Sequence, residues 1–217
     1  SQKPTLFSFT WRHFQDETPR HHRALAASDE NYKREWIETC RSMVELLDGH
    51  PSVGFWTLFN EGWGQFDAQA AVKAVRELDA TRPIDATSGW YDQGCGDFIS
   101  IHNYFRPLRA GWRDIRKARA NRRREGAKQR AVIISEFGGL AQMVPEHTSL
   151  DHAYGYGNFA TANDWCAAVK QELAKAESLQ ADGLAGYIYT QLSDVEEEVN
   201  GLLTYDRKVN KLRRSTG

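Results

Sequence analysis

Apolar and polar residues along the chain switch repeatedly between two periods. Trp36, Cys40, Met43, Val44 and Leu47 recur at three- and four-residue spacings. That predicts a helix over about 31–47 with one apolar face, capped by Ser28 or Asp29 and stopped by Asp48-Gly49-His50-Pro51. Val53 to Phe59 is a short apolar run of strand type. Asp67 is placed to cap a second helix carrying Ala71, Val72, Val75 and Leu78 on one face. Thr81-Arg82-Pro83 breaks it before a short strand at 84–87, and another strand follows at 98–104. A basic helix is predicted over 112–125 and a strand over 131–137. Next comes a long loop with His147, His152, Tyr154 and Tyr156. A long helix over 158–180 turns Trp165, Val169, Leu173, Ala176 and Leu179 inward and ends at Asp182-Gly183. The last strand covers 184–191, and the tail after Tyr205 is basic and polar.

Strands thus alternate with helices, and several strands are apolar on both faces, the pattern of a parallel sheet covered by helices. One link is exceptional. Only ten residues separate Thr87 from Phe98, fewer than a helical crossover needs, so a loop makes that connection. Five strands admit an open doubly wound sheet or part of an eight-stranded barrel. No Gly-x-Gly-x-x-Gly follows the first strand. Polar residues gather instead at the ends of many strands: Asn60 and Glu61, Trp90, His102 and Tyr104, Glu136, Tyr189 and Gln191. Barrel enzymes draw their chemistry from such positions, and the (β/α)8 TIM barrel, class α/β, is the favoured reading.

Composition narrows the function. The 217 residues have an ordinary apolar fraction, 41%, and a formal net charge of -1, so no global field favours nucleic acid or a membrane surface. No apolar run reaches the length of a bilayer span. Cys40, Cys95 and Cys166 have neither metal-type nor redox-type spacing and are expected as free thiols, Cys95 the most exposed. The chain opens on Ser1 with no signal-like segment, the pattern of a processed product or a piece of a longer chain.

Two carboxylates stand out. Glu61 ends Val53-Gly54-Phe55-Trp56-Thr57-Leu58-Phe59-Asn60, and Glu136 ends Val132-Ile133-Ile134-Ser135; glycine or aromatic residues follow each at once. An acid beside aromatics at the end of an apolar strand is costly to desolvate unless its charge is used. Two carboxylates about 5–5.5 Å apart across a glycosidic bond are what a retaining glycosidase requires, one protonated and one ionised. Phe59 and Trp63 are positioned to shield Glu61, and Tyr104 to hold Glu136 as a carboxylate.

The run from His50-Pro51-Ser52 through Asn60-Glu61-Gly62-Trp63 to Gln65 resembles the acid/base segment of glycoside hydrolase family 2, the β-galactosidases, β-glucuronidases and β-mannosidases. Ile134-Ser135-Glu136-Phe137-Gly138 resembles its nucleophile segment. Ile101-His102-Asn103-Tyr104 and Gly186-Tyr187-Ile188-Tyr189-Thr190-Gln191 resemble its sixth and eighth barrel strands. The resemblance covers about residues 30–210. It implies a single partial TIM-barrel catalytic domain over 1–217: a loop-rich lead-in at 1–27, then barrel elements over 28–210 forming about the last five strands. It also implies roles: Glu61 as acid/base, Glu136 as nucleophile, Asn60 on the sugar 2-hydroxyl, Tyr104 orienting Glu136, and His102, Trp90, Trp63 and Tyr189 around the sugar. No cofactor or metal is implied, and the partner is a glycoside or oligosaccharide. Tyr189 stands where the family usually has Trp, and a cis peptide is expected after it. Where glucuronidases carry Asn-x-Lys, this chain has Glu198-Val199-Asn200-Gly201, which points to a neutral β-hexoside, first of all a β-galactoside. β-Glucuronides and β-mannosides are the alternative substrates, and a non-catalytic carbohydrate- or partner-binding fragment is the alternative function.

The remaining features have plainer readings. The eight Lys or Arg residues of 116–130 form a solvated helix face rather than a nucleic-acid site, since no aromatic set is interleaved. His21-His22 lacks a third metal ligand at a suitable spacing. His147 and His152 follow the nucleophile strand and are open to either a substrate or a surface role. Glu196-Glu197-Glu198 reads as solvated, and Trp36 and Trp165 as core. An incomplete barrel exposes sheet edges and its interior, so the chain alone is expected to self-associate and to have little activity.

Overall fold

The computed structural model describes residues 29–89, 91–104, 108, 129–148 and 151–213. The basic helix expected over 112–125, the lead-in with His21-His22, and Trp90 lie outside them. Three α-helices occur among the described residues: α1 (Glu30–Leu47), α2 (Ala68–Leu78) and α3 (Ala162–Ser178). Seven strands accompany them: β1 (Trp56–Asn60), β2 (Ile84–Ser88), β3 (Phe98–Asn103), β4 (Ala131–Gly138), β5 (Leu140–Ala141), β6 (Gly157–Asn158) and β7 (Gly186–Thr190). The five expected strands are β1–β4 and β7. Hydrogen bonding groups the strands as β1–β2, β3–β4–β7 and β5–β6; β1–β2 and β5–β6 are parallel. Among the described residues, no helix is long and apolar enough to cross a membrane.

The chain divides into two compact units. One comprises Ser1–Ile101 and Ala118–Ile133, the other His102–Lys117 and Ile134–Gly217.

In the first unit, α1 and α2 cover β1 and β2. Asp29 caps α1 by accepting from the backbone of Asn31 and Tyr32, and Asp67 caps α2 through Ala70, as the sequence predicts. Cys40, Val44, Trp56, Val75 and Ile84 form one buried cluster, and Phe59, Phe66, Ala68 and Ala71 another. Met43, expected on the inward face of α1, is exposed. Trp36 stacks on Phe59 with centroids 4.7 Å apart, so it is core. A polar latch fixes the loop between α2 and β2. Buried Asp79 accepts from Trp56 Nε1 at 2.9 Å, from the Thr81 hydroxyl at 2.6 Å and from Arg82 Nη1 at 2.8 Å. Arg82 Nε also donates to the carbonyl of Val53. Hydrogen bonds from Thr81, Arg82 and Trp56 hold the Asp79 carboxyl well below the usual carboxylate range.

In the second unit, α3 starts at Ala162 and not at 158, because Gly157–Asn158 pair with Leu140–Ala141 and Thr161 supplies the cap to Asp164. Trp165, Val169 and Ala176 are buried, as their spacing predicts. A short 3-10 turn, Leu179–Asp182, ends on Gly183 at φ 104°, a left-handed position that favours glycine. The basic tail is not all solvated: Lys211 is fully buried. Its Nζ donates to Asp194 Oδ1 at 2.7 Å and to the carbonyls of Gln142 and Val199, each at 2.9 Å. Asp194 in turn accepts from Gly201 N. This clasp ties the segment after β7 to the segment after β4.

Candidate functional site

β1 delivers Asn60 and Glu61 at its C-terminal end. Parallel pairing puts Asn60 beside Ser88, and the Glu61 amide donates to the Ser88 carbonyl at 2.9 Å. The strand then turns sharply. Glu61 has φ 54°, followed by Gly62 at 74° and Gly64 at 65°. A non-glycine residue in the left-handed region costs on the order of 1–3 kcal/mol, and the strain sits at the acid itself. Trp63 N closes the turn on the Asn60 carbonyl at 3.0 Å. Asn60, Glu61 and Trp63 are all half-buried. The Phe59 ring is committed to the core with Trp36 and Phe66, because strand alternation sends it to the helix side.

In the second unit, β3 and β4 bring together three of the expected residues. Tyr104 Oη lies 2.7 Å from Glu136 Oε2 and 2.9 Å from Thr190 Oγ1. A phenol has one proton, so Tyr104 donates to the carboxylate and accepts from the threonine hydroxyl. Buried His102 places Nδ1 3.3 Å from the same Oε2, with its ring edge-on to Tyr104. Burial, then the neighbouring Glu136 charge, push the Tyr104 phenol far up, so it remains a donor throughout the working pH range.

Gly138 and Gly139, at φ 96° and 62°, make this packing possible. A Cβ on Gly138 would come within 2.3 Å of the Tyr189 ring, and one on Gly139 within 2.6 Å of the Tyr156 ring and 3.1 Å of Tyr104. Two residues missed by sequence reasoning emerge here. Thr190 is the acceptor-side anchor of Tyr104. Tyr156 stacks face to face on Tyr104, centroids 4.3 Å apart and planes 16° apart.

Tyr189, expected at the sugar, is turned the other way. Its ring lies 5.5 Å from that of Phe137 and joins the cluster of Trp165, Cys166 and Val169. Adjacent residues on a strand face opposite sides, so Thr190, not Tyr189, shares the face of Glu136. The non-proline cis peptide joins Thr190 to Gln191 and not Tyr189 to Thr190. Beyond it, Gln191 Nε2 donates to Asn200 Oδ1 at 2.8 Å and to Glu198 Oε2 at 3.2 Å. Glu198 and Asn200 are therefore organised around one side-chain amide, and Glu198 is not simply solvated. His147 pairs with Asp206 at 2.9 Å, and His152 with Asp151 at 3.1 Å. Cys95 is half-buried, while Cys40 and Cys166 are buried; all three are free thiols.

This geometry presents a carboxylate at a strand end, held by a phenol with an imidazole beside it, in one unit, and a strained acid followed by glycine and tryptophan in the other. A 75-residue stretch is 33% identical to the β-galactosidase of Priestia megaterium (strain DSM 319 / IMG 1521), covering 35% of this chain and 7% of that protein. The structure resembles a family 2 β-galacturonidase from Eisenbergiella tayi bound to galacturonate, with TM-score 0.58 and 16% identity over 89% of this chain and 39% of that one. It also resembles Faecalibacterium prausnitzii β-glucuronidase, with TM-score 0.52 and 16% identity over 88% of this chain and 37% of that one. The chain thus spans well under half of each of these relatives. The model of the TIM barrel domain of the glycosyl hydrolases of family 2 matches residues 7–212, nearly the whole length, and the chain belongs to that family.

Proposed function

We propose that this chain is the catalytic region of a retaining exo-β-glycosidase acting on a neutral β-hexoside, first of all a β-galactoside. The observation that carries the reading is the set of groups around Glu136: a hydrogen bond from Tyr104 at 2.7 Å, itself tethered to Thr190, and His102 Nδ1 3.3 Å from the same oxygen. In the first step Glu136 forms a bond to the anomeric carbon. The bond from that carbon to the leaving oxygen breaks, and its electron pair takes the proton of Glu61. In the second step Glu61 removes a proton from water, the water oxygen bonds the anomeric carbon, and the electron pair of the ester bond returns to Glu136. Asn60 is assigned to the sugar 2-hydroxyl and His102 and Trp63 to the ring; Trp90, expected there from the sequence, lies outside the described residues.

The choice of a neutral sugar rests on Glu198 and Asn200. Both present acceptors, organised by Gln191, and a sugar carboxylate beside Glu198 would meet like charge. The name of the Priestia relative is in keeping with a galactoside. The neighbours named for uronic acids share the fold at 15–16% identity and carry no weight on the sugar.

The test uses the full-length protein and a panel of nitrophenyl β-glycosides. β-Galactoside turnover should exceed β-glucuronide turnover. Glu136→Gly should lose about three orders of magnitude in kcat or more, with azide restoring turnover to an α-glycosyl azide. Near-normal rates for Glu136→Gly and Glu61→Gln would sink the assignment. Faster uronide turnover would overturn the sugar class, and sugar binding without turnover would establish a binding module instead.

A further inference from the structure

The aromatic packing on Tyr104 does not stop at Tyr156. Tyr154 sits edge-on against Tyr156, centroids 5.8 Å apart and planes 70° apart. Exposure grows along the series. Tyr104 is half-buried, Tyr156 is 38% exposed and Tyr154 is 50% exposed. These exposed rings are held by backbone, not left on a loose tip. Tyr154 N donates to the Glu197 carbonyl at 2.7 Å and Tyr156 N to the Gly139 carbonyl at 2.9 Å, and the next two residues pair as β6 with β5. The backbone of Tyr154 thus pairs with the acidic segment Glu197-Glu198.

A rigid, outward-rising aromatic ledge in contact with the residue that holds Glu136 calls for an occupant with a flat apolar face and hydroxyl edges. Tyrosine gives large contact area at small entropic cost, and the neighbouring acidic segment accepts hydroxyls while repelling anions. An exo-acting site encloses the ring it transfers, so what lies towards solvent is the leaving part. We propose that Tyr154 and Tyr156 form the leaving-group subsite and bind a neutral pyranose there, making this enzyme selective for disaccharides over simple glycosides. The inference rests on the glycosidase reading above.

The experiment compares the full-length enzyme with Tyr154→Ala, Tyr154→Phe and Tyr154→Trp on two substrates of the same glycone, a β-disaccharide and the β-glycosyl fluoride, whose leaving group is a lone ion. One stacked ring contributes roughly a tenfold effect. Tyr154→Ala is therefore expected to lower the disaccharide-to-fluoride ratio of kcat/KM about tenfold, and Tyr154→Phe and Tyr154→Trp to keep it near wild type. Equal losses on both substrates, the signature of a structural or glycone-side role, would overturn the proposal, as would an unchanged ratio in Tyr154→Ala. A wild-type enzyme that hydrolyses no β-glycosyl fluoride refutes the glycosidase reading itself, and the subsite with it.

Discussion

Tyr104→Phe in the full-length enzyme isolates one hydrogen bond at the proposed nucleophile. The substitution removes the phenol that lies 2.7 Å from Glu136 Oε2 and keeps the ring that stacks on Tyr156. A hydrogen bond to a charged group contributes about 1.5–3 kcal/mol, or roughly 10- to 150-fold in a rate that expresses it fully. Glu136 is 28% exposed, so water replaces part of what is lost, and the lower end, about 10- to 30-fold, applies. The two chemical steps should not share it equally. The bond is weakest when Glu136 is an ester and regains strength as the carboxylate departs, so breakdown of the glycosyl-enzyme slows most. With an activated nitrophenyl glycoside, kcat should fall about 10- to 30-fold, KM should fall with it, and a burst of nitrophenolate near one equivalent should appear in stopped flow. Thr190→Val leaves the phenol in place and should reproduce the pattern in milder form. A Tyr104→Phe enzyme with kcat within twofold of wild type, or with kcat and kcat/KM reduced alike and no burst, would show that the phenol does not stabilise the departing carboxylate.

Two further outcomes test the frame around the site. Gly138→Ala adds left-handed strain and a methyl group within 2.3 Å of the half-buried Tyr189 ring. It should destabilise the protein by about 3 kcal/mol, read as a lower urea midpoint; an unchanged midpoint would mean the ring yields freely. Asp79 gives a pH dependence. Its carboxyl is held below its unfolded value of about 3.9, so its contribution to stability is fully present above that pH and is lost as pH falls towards the folded value. Asp79→Asn should be less stable than wild type at pH 7 and should lose less of its remaining stability between pH 5 and pH 3. Parallel losses in urea titrations at the two acid pH values would rule the latch out as an acid-sensitive element.

Much of this was legible because local chemistry and tertiary need coincide. Asp29, Asp67 and the apolar stripes of α1, α2 and α3 announce helices by capping and period, and tertiary packing has only to accept them. Glu61 and Glu136 were legible as acids in positions that burial penalises. Tyr189 shows the opposite case. An aromatic residue near a strand end looked suited to a sugar, but residue type does not set the face; parity does. Tyr189 packs on Phe137 and on the α3 cluster of Trp165, Cys166 and Val169, and Thr190 is therefore the residue on the face of Glu136. A one-position offset exchanges the two roles. Lys211 was illegible for a different reason. A lysine in a basic tail is normally solvated, and only the carbonyls of Gln142 and Val199 with the Asp194 carboxylate, distant in sequence, make its burial tolerable.

The glycine pair after Glu136 joins these observations. A strand that ended on Glu136 and continued with ordinary residues could carry the carboxylate but not its surroundings. Gly138 lets the Tyr189 ring lie against the backbone, and Gly139 lets Tyr156 and Tyr104 close over it. The same turn leads directly into Leu140–Ala141, which pairs with Gly157–Asn158 and so fixes where Tyr154 and Tyr156 emerge. The carboxylate, the phenol that holds it and the aromatic ledge beyond therefore depend on two residues without side chains. A substitution at Gly139 should accordingly disturb both the chemistry at Glu136 and selection of the leaving group, whereas one at Tyr154 should reach only the second. That asymmetry separates a ledge built onto the strand of Glu136 from a loop that merely lies near it.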